Sequence, residues 1–217
     1  DPMLDALDLQ PGEQLLDVGT GAGAVAAAAL VRGVRVTAVD PDPDMLELAA
    51  AAAPGAVLRR GALPELALDQ GDFDVITANF VLNQVGDPAA SARHLGDLLR
   101  PGGRLGVSIW PADRGPLFRI WDEVVADAGV PDAPKTRLRA DLDFPRTPDG
   151  LSGLLSGAGL SVRGAWLHDF EHVTEPARWW SAAERGVAGI GQVYLAQPAD
   201  GQAAIRAAWR RVSARYL

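Results

Sequence analysis

Apolar residues fall first into short β-branched runs and then into alanine-rich stretches of helical period. Residues 14–18 are an apolar run that enters a glycine turn, and residues 22–32 behind it are rich in alanine, the strongest helix former. The pattern predicts strand, turn, helix. Residues 34–39 repeat the strand signal and end on Asp40. In residues 41–53 Pro43 suits a first helical turn, and Met45, Leu46, Leu48 and Ala49 supply an apolar stripe. Residues 56–58 read as a third strand, 73–78 as a fourth and 104–110 as a fifth, with a helix at 89–99 closed by Arg100-Pro101-Gly102-Gly103. Strands alternating with helices at this spacing predict an α/β fold, a doubly wound and mostly parallel sheet with helices on both faces. Ligands then sit outside the carboxyl ends of the strands.

After Trp110 the texture changes. Residues 111–116 read as a loop, 117–128 as a helix, and 131–148 as a polar, proline-punctuated connection suited to a lid or wall. Residues 148–158, 176–186 and 202–216 read as helices and 160–173 as extended chain.

At 217 residues, 48% of them hydrophobic and 22% charged, the chain has the composition of one folded domain with a sizeable core. The formal net charge of −8 leaves no sequence-wide cationic field for phosphate backbones, so nucleic acid is not an expected partner. The absence of cysteine removes disulfides, thiolate metal sites and a cysteine nucleophile together. No apolar run approaches the ~20 residues of a membrane span, and the start has no basic n-region or signal-like h-region. The chain reads as cytoplasmic.

The chemistry concentrates in the first turn. Strand one delivers Asp17-Val18-Gly19-Thr20-Gly21-Ala22-Gly23, where glycines let the backbone approach a ligand that a Cβ would obstruct. Asp40 ends strand two, where an acid accepts hydrogen bonds from both hydroxyls of a ribose. Together these describe a nucleoside site. The dinucleotide fingerprint is G-x-G-x-x-G with a pyrophosphate on the helix N-terminus, whereas Gly19, Gly21 and Gly23 form G-x-G-x-G preceded by an acid. Asp17 would repel a pyrophosphate and suits a sulfonium or ammonium group.

With these residues in order, the chain resembles the class I S-adenosylmethionine-dependent methyltransferases of small-molecule type over about residues 4–110. The shared motifs are Leu15-Leu16-Asp17-Val18-Gly19-Thr20-Gly21-Ala22-Gly23, Val36-Thr37-Ala38-Val39-Asp40, Phe73-Asp74-Val75-Ile76 and Leu99-Arg100-Pro101-Gly102-Gly103-Arg104-Leu105. The resemblance implies a Rossmann-like fold with S-adenosylmethionine as cofactor. It divides the chain into a cofactor-binding half at 1–110 and an acceptor-side cover at 111–217. Asp17 would orient the methionine part, Gly19, Thr20, Gly21 and Gly23 would pass beneath the nucleoside, and Asp40 would hold the ribose with Pro41 beside it. Family members often carry an Asp-Ala pair before Leu-Pro after strand three, the acid contacting adenine. Here the segment is Gly61-Ala62-Leu63-Pro64, which leaves adenine to backbone groups and to Met45, Ala62 and Leu63. Asn79 and Phe80 follow strand four, where relatives line the reacting methyl, with Asn83 three residues on. Relatives of this type also end in a further antiparallel strand and begin with a helix over the acceptor pocket. Both are expected outside the sequence given.

Methyl transfer from a sulfonium is an in-line displacement that chiefly requires alignment and exclusion of water, so a dedicated base is optional. Histidine is the residue type for such a base. His94 is expected on the solvated side of its helix. His168 and His172 share one face of an extended stretch with Phe170 and are the candidates for that base; Asp169 and Glu171 would point away from both, so no metal site is expected. Trp110, Trp179 and Trp180 are the aromatic candidates for stacking on a planar acceptor. Alternatives are a non-catalytic S-adenosylmethionine-binding protein, an NAD-dependent oxidoreductase, and a protein or RNA methyltransferase using basic residues near Lys135, Arg137 and Arg139.

Overall fold

The computed structural model describes residues 1–113, 115–131, 138–171, 173–186 and 188–216. The chain divides into two compact units, Asp1–Ala112 with Leu138–Trp166, and Asp113–Arg137 with Leu167–Leu217. In chain order the helices are α1 (Pro2–Ala6), α2 (Ala24–Val31), α3 (Pro43–Ala52), α4 (Pro88–Leu98), α5 (Pro116–Ala128), α6 (Pro148–Gly157), α7 (Pro176–Glu184), α8 (Ala188–Leu195) and α9 (Ala199–Ser213). The strands are β1 (Gln14–Val18), β2 (Arg35–Asp40), β3 (Val57–Arg60), β4 (Phe73–Asn79) and β5 (Leu99–Ser108).

Helices α3, α4 and α6 share one start, a capping side chain followed by proline at the first helical position. Asp42 accepts from the Asp44 amide ahead of α3, Asp87 from the Ala90 amide ahead of α4, and Thr147 from the Gly150 amide ahead of α6. The cap satisfies an orphan N–H, and proline supplies a helical φ without needing a partner.

In the first unit the five strands are all parallel, in the order β3-β2-β1-β4-β5. This is the Rossmann-like arrangement, and the crevice at its switch point opens between β1 and β4. Both central strands are sandwiched, so their side chains alternate between two cores. Leu15 and Val75 join Val25, Ala29 and Val36 on one face; Leu16 and Ile76 join Leu95 and Leu98 on the other. Leu154 and Leu155 of α6 pack against that second core, which is why residues 138–166 belong to this unit. Helix α1 lies against β5, where a Cβ on Gly106 would come within 2.8 Å of Leu7.

The second unit consists of α5, α7, α8 and α9 around Trp121, Val124, Ala183, Val193, Ile205, Ala208 and Trp209. Trp179 stacks on Trp209 at 4.5 Å between ring centres, and Trp180 meets Tyr194 edge-on at 5.3 Å.

Several elements differ from expectation. Helices α1 and α8 carry too few periodic residues to announce themselves. Strand β5 begins at Leu99, five residues early, because Phe73 pairs with Leu99 and the register then shifts before Val75 pairs with Arg104. It ends at Ser108, so Trp110 lies beyond it. The extended stretch expected at 160–173 joins no strand ladder among its described residues; Trp166 and Phe170 are exposed. An apolar alternation signals a strand only where a neighbouring strand takes up the backbone groups.

Gly23 gives a direct test of the packing. Its φ is +83°, and a Cβ would sit 2.9 Å from the Ala49 Cα of α3. Left-handed strain and overpacking against backbone together cost about 3 kcal/mol. Gly23→Ala is therefore expected to lower Tm by roughly 6–12 °C in a thermal melt.

Candidate cofactor site

The site is assembled at the carboxyl ends of β1, β2 and β4. Asp17, the penultimate residue of β1, pairs in register with Ala38 of β2 on one side and Thr77 of β4 on the other. It is only 1% exposed. Its two oxygens are held separately: Oδ1 accepts from the Thr77 hydroxyl at 2.7 Å and Oδ2 from the Thr20 hydroxyl at 2.7 Å. Burial pushes the Asp17 carboxyl up to about 6; the hydroxyls and the Ala26 amide oppose that rise, and the negative charge of Asp40 adds to it. Asp17 thus braces the turn through Thr20 from beneath the surface.

The three glycines of the turn answer three different demands. All have positive φ: +63° at Gly19, +53° at Gly21 and +83° at Gly23. A Cβ on Gly19 would collide with Val81 and one on Gly23 with Ala49, whereas one on Gly21 would meet no protein atom within 4 Å. The protein leaves open the space beside Gly21. The Thr20 amide donates to the Val39 carbonyl at 3.0 Å, which ties the turn to β2.

Asp40, buried at the end of β2, faces the same turn. Its Oδ2 accepts from the Gly21 amide at 2.9 Å and its Oδ1 from the Asp42 amide at 3.0 Å. A carboxylate offers about four lone-pair sites, so one on each oxygen remains for a vicinal diol. Arg60 donates to the Pro41 carbonyl at 3.1 Å and fixes the residue after the acid. Met45 and Leu63 are half-buried, Leu63 against the second core, and Ala62 is exposed. At Gly61 a Cβ would approach Leu66 to 3.0 Å and Val39 to 3.2 Å. Glycine fits that crowding.

Asn79 closes β4 opposite Ser108, whose hydroxyl donates to Asn79 Oδ1. The bond turns the amide so that its Nδ2 remains as the donor. Phe80 follows with φ +59°, rare for an aromatic residue, and its amide donates to the Ser108 carbonyl at 3.0 Å and the Ser108 hydroxyl at 3.2 Å. So held, its ring stacks on Trp110 at 4.5 Å with planes 11° apart. In the same turn Asn83 buries its Oδ1 without a partner. The left-handed Phe80 backbone and the orphaned Asn83 acceptor make this segment a candidate for the ligand-facing wall.

Other candidates fall elsewhere. Contrary to its expected solvated position, His94 is half-buried and accepts from the Leu66 amide at 3.0 Å through Nε2, a structural role. His168 is exposed in the second unit beside Phe170, and His172 lies outside the described residues. Trp179 and Trp180 serve the second unit's aromatic core. Arg139 pairs with Asp141, while Lys135 and Arg137 lie outside the described residues. Among the described residues no group of His, Asp or Glu converges as metal ligands would, and no helix is long and apolar enough to cross a membrane. Sequence reasoning missed Thr77, Ser108 and Arg60. Thr77 alone left a signal, a hydroxyl amid the buried run of β4.

The comparisons with known proteins converge on this segment. Residues 16–107 match the family described as "Methyltransferase domain". The chain is 38% identical over 120 residues to an uncharacterized methyltransferase of Mycobacterium tuberculosis, covering 54% of this chain and 49% of that protein. It is 32% identical over 159 residues to a ubiquinone biosynthesis O-methyltransferase of Marinobacter nauticus, covering 70% of this chain and 65% of that one. The chain thus spans about half the length of the first and just under two thirds of the second. Among solved structures, a putative methyltransferase from Bacillus halodurans matches with a TM-score of 0.61 at 20% identity, over 92% of this chain and 85% of that one. That likeness concerns the fold. The glycine turn, the buried Asp17 and Asp40 all lie inside the matched segment: residues 16–107 carry a methyltransferase domain, that of the class I S-adenosylmethionine-dependent methyltransferases.

Proposed function

We propose that the protein transfers a methyl group from S-adenosylmethionine to a small-molecule acceptor. The observation that carries this reading is the Asp40 carboxylate, bonded to the Gly21 amide beside an open glycine turn with an acceptor site free on each oxygen. Asp40 would hold the ribose, the turn from Gly19 to Gly23 would pass beneath the nucleoside, and Asp17 would supply negative charge toward the methionine ammonium. Met45, Gly61, Ala62 and Leu63 would border the adenine, and Asn79 with Phe80 the reacting end. When bound, S-adenosylmethionine supplies an electrophilic methyl on a sulfonium whose leaving thioether takes up no proton. The chain's task is then to orient the acceptor and exclude water. The stacked Phe80 and Trp110 offer an aromatic wall, and Asn83 a buried hydrogen-bond acceptor. A small acceptor is supported by the net charge of −8, unsuited to nucleic acid, and by the Marinobacter relative, named for ubiquinone biosynthesis.

Calorimetric titration tests the reading. S-adenosylhomocysteine is expected to bind at micromolar concentration and NADH not to bind. Transfer of a labelled methyl group to a small-molecule panel then separates an enzyme from a binding protein. A preference for NADH would overturn the reading in favour of an oxidoreductase.

A further inference from the structure

Asp17 presents a problem that its own strand does not solve. A carboxylate 1% exposed favours its neutral form unless donors compensate, and the negative charge of Asp40 pushes the same way. One donor, Thr20, belongs to the turn and moves with it. The other comes from β4: Thr77 is fully buried, lies beside Asp17 in the parallel register, and donates to Oδ1 at 2.7 Å. Its alternative partner, the Leu16 carbonyl, lies at 3.4 Å, so the shorter bond belongs to the carboxylate. With Oδ1 fixed from the sheet, Oδ2 is directed at Thr20, and the turn closes on a rigid point.

We propose that Thr77 is a positioning residue for cofactor binding, its hydroxyl holding the Asp17 carboxylate ionised and in the orientation that closes the glycine turn through Thr20. The proposal rests on the nucleoside-site reading and assigns no contact between Thr77 and the ligand. Valine at this position keeps the shape and removes the donor; serine keeps the donor and removes a methyl group.

The test is titration of wild type, Thr77→Val and Thr77→Ser with S-adenosylhomocysteine from pH 5 to pH 8.5, alongside the stability of each free protein over the same range. Thr77→Val is expected to bind about fivefold more weakly at pH 6, where loss of the donor leaves most of the Asp17 carboxyl neutral. The pH at which affinity is half lost should rise by about one unit. Thr77→Ser should restore both. In the free protein, without ligand, valine should displace the Asp17 transition in the stability profile to higher pH. Unchanged affinity and midpoint in Thr77→Val would overturn the proposal, as would a serine variant no better than valine, which would assign the effect to packing. If wild type binds no S-adenosylhomocysteine at any pH, the nucleoside reading itself fails and the cofactor role of Thr77 falls with it. The free-protein profiles distinguish that result from failure of the clamp alone.

Discussion

Asp40→Ala is expected to weaken S-adenosylhomocysteine binding at least about a hundredfold. Two hydrogen bonds from ribose hydroxyls to a carboxylate are worth about 3–6 kcal/mol, and each 1.4 kcal/mol is a factor of ten. Removing the carboxylate also frees the Gly21 and Asp42 amides it now holds at 2.9 and 3.0 Å, so the turn loses one of its ties to β2 when the ribose loses its partner and keeps the Thr20–Val39 backbone bond. Asp40→Asn keeps one acceptor oxygen but turns an NH2 group toward an N–H, and should fall between wild type and alanine. Calorimetry with all three proteins measures the series. An alanine variant within threefold of wild type would mean that the ribose is held elsewhere.

Cofactor affinity is expected to fall as pH drops below about 6, approaching tenfold per unit. Burial holds the Asp17 carboxyl at about 6 in the free protein, so below that value most molecules carry it neutral. A ligand ammonium favours the charged form, and binding near pH 6 must then expel a proton. Titrations in buffers of different ionisation enthalpy read that proton directly. Stability runs the other way. The folded carboxyl lies above its unfolded value, so this group's contribution of about 3 kcal/mol is fully present below about pH 4 and is lost as pH rises through 6. The groups bearing on Asp17 are Thr20 from the turn, Thr77 from β4, the Ala26 amide from α2 and the charge of Asp40 from β2. Opposed trends, with stability falling and affinity rising between pH 4 and pH 6.5, are the signature of one buried acid. Parallel trends would assign the pH dependence to another group.

The sequence by itself determined the elements that local chemistry dictates. The G-x-G-x-G turn is legible because only glycine adopts its positive φ values readily, and Asp40 because a strand-terminal acid has few other uses. The cap-proline pairs at residues 42–43, 87–88 and 147–148 set helix starts without tertiary help. The parallel sheet followed from the strand–helix alternation. Tertiary structure alone decided what depends on residues far apart in the chain. Thr77 reaches Asp17 across 60 positions because β1 and β4 lie side by side in one register. Ser108 reaches Asn79 by the pairing of β4 with β5, and α6 packs beneath the sheet after a long detour of the chain. For the stretch after residue 160, an alternating pattern states a strand's preference but cannot supply its neighbour. Periodicity reports what each residue prefers, whereas register and burial depend on which strands meet; the sequence therefore named the turn and its acid, and the fold supplied the hydroxyls that hold them.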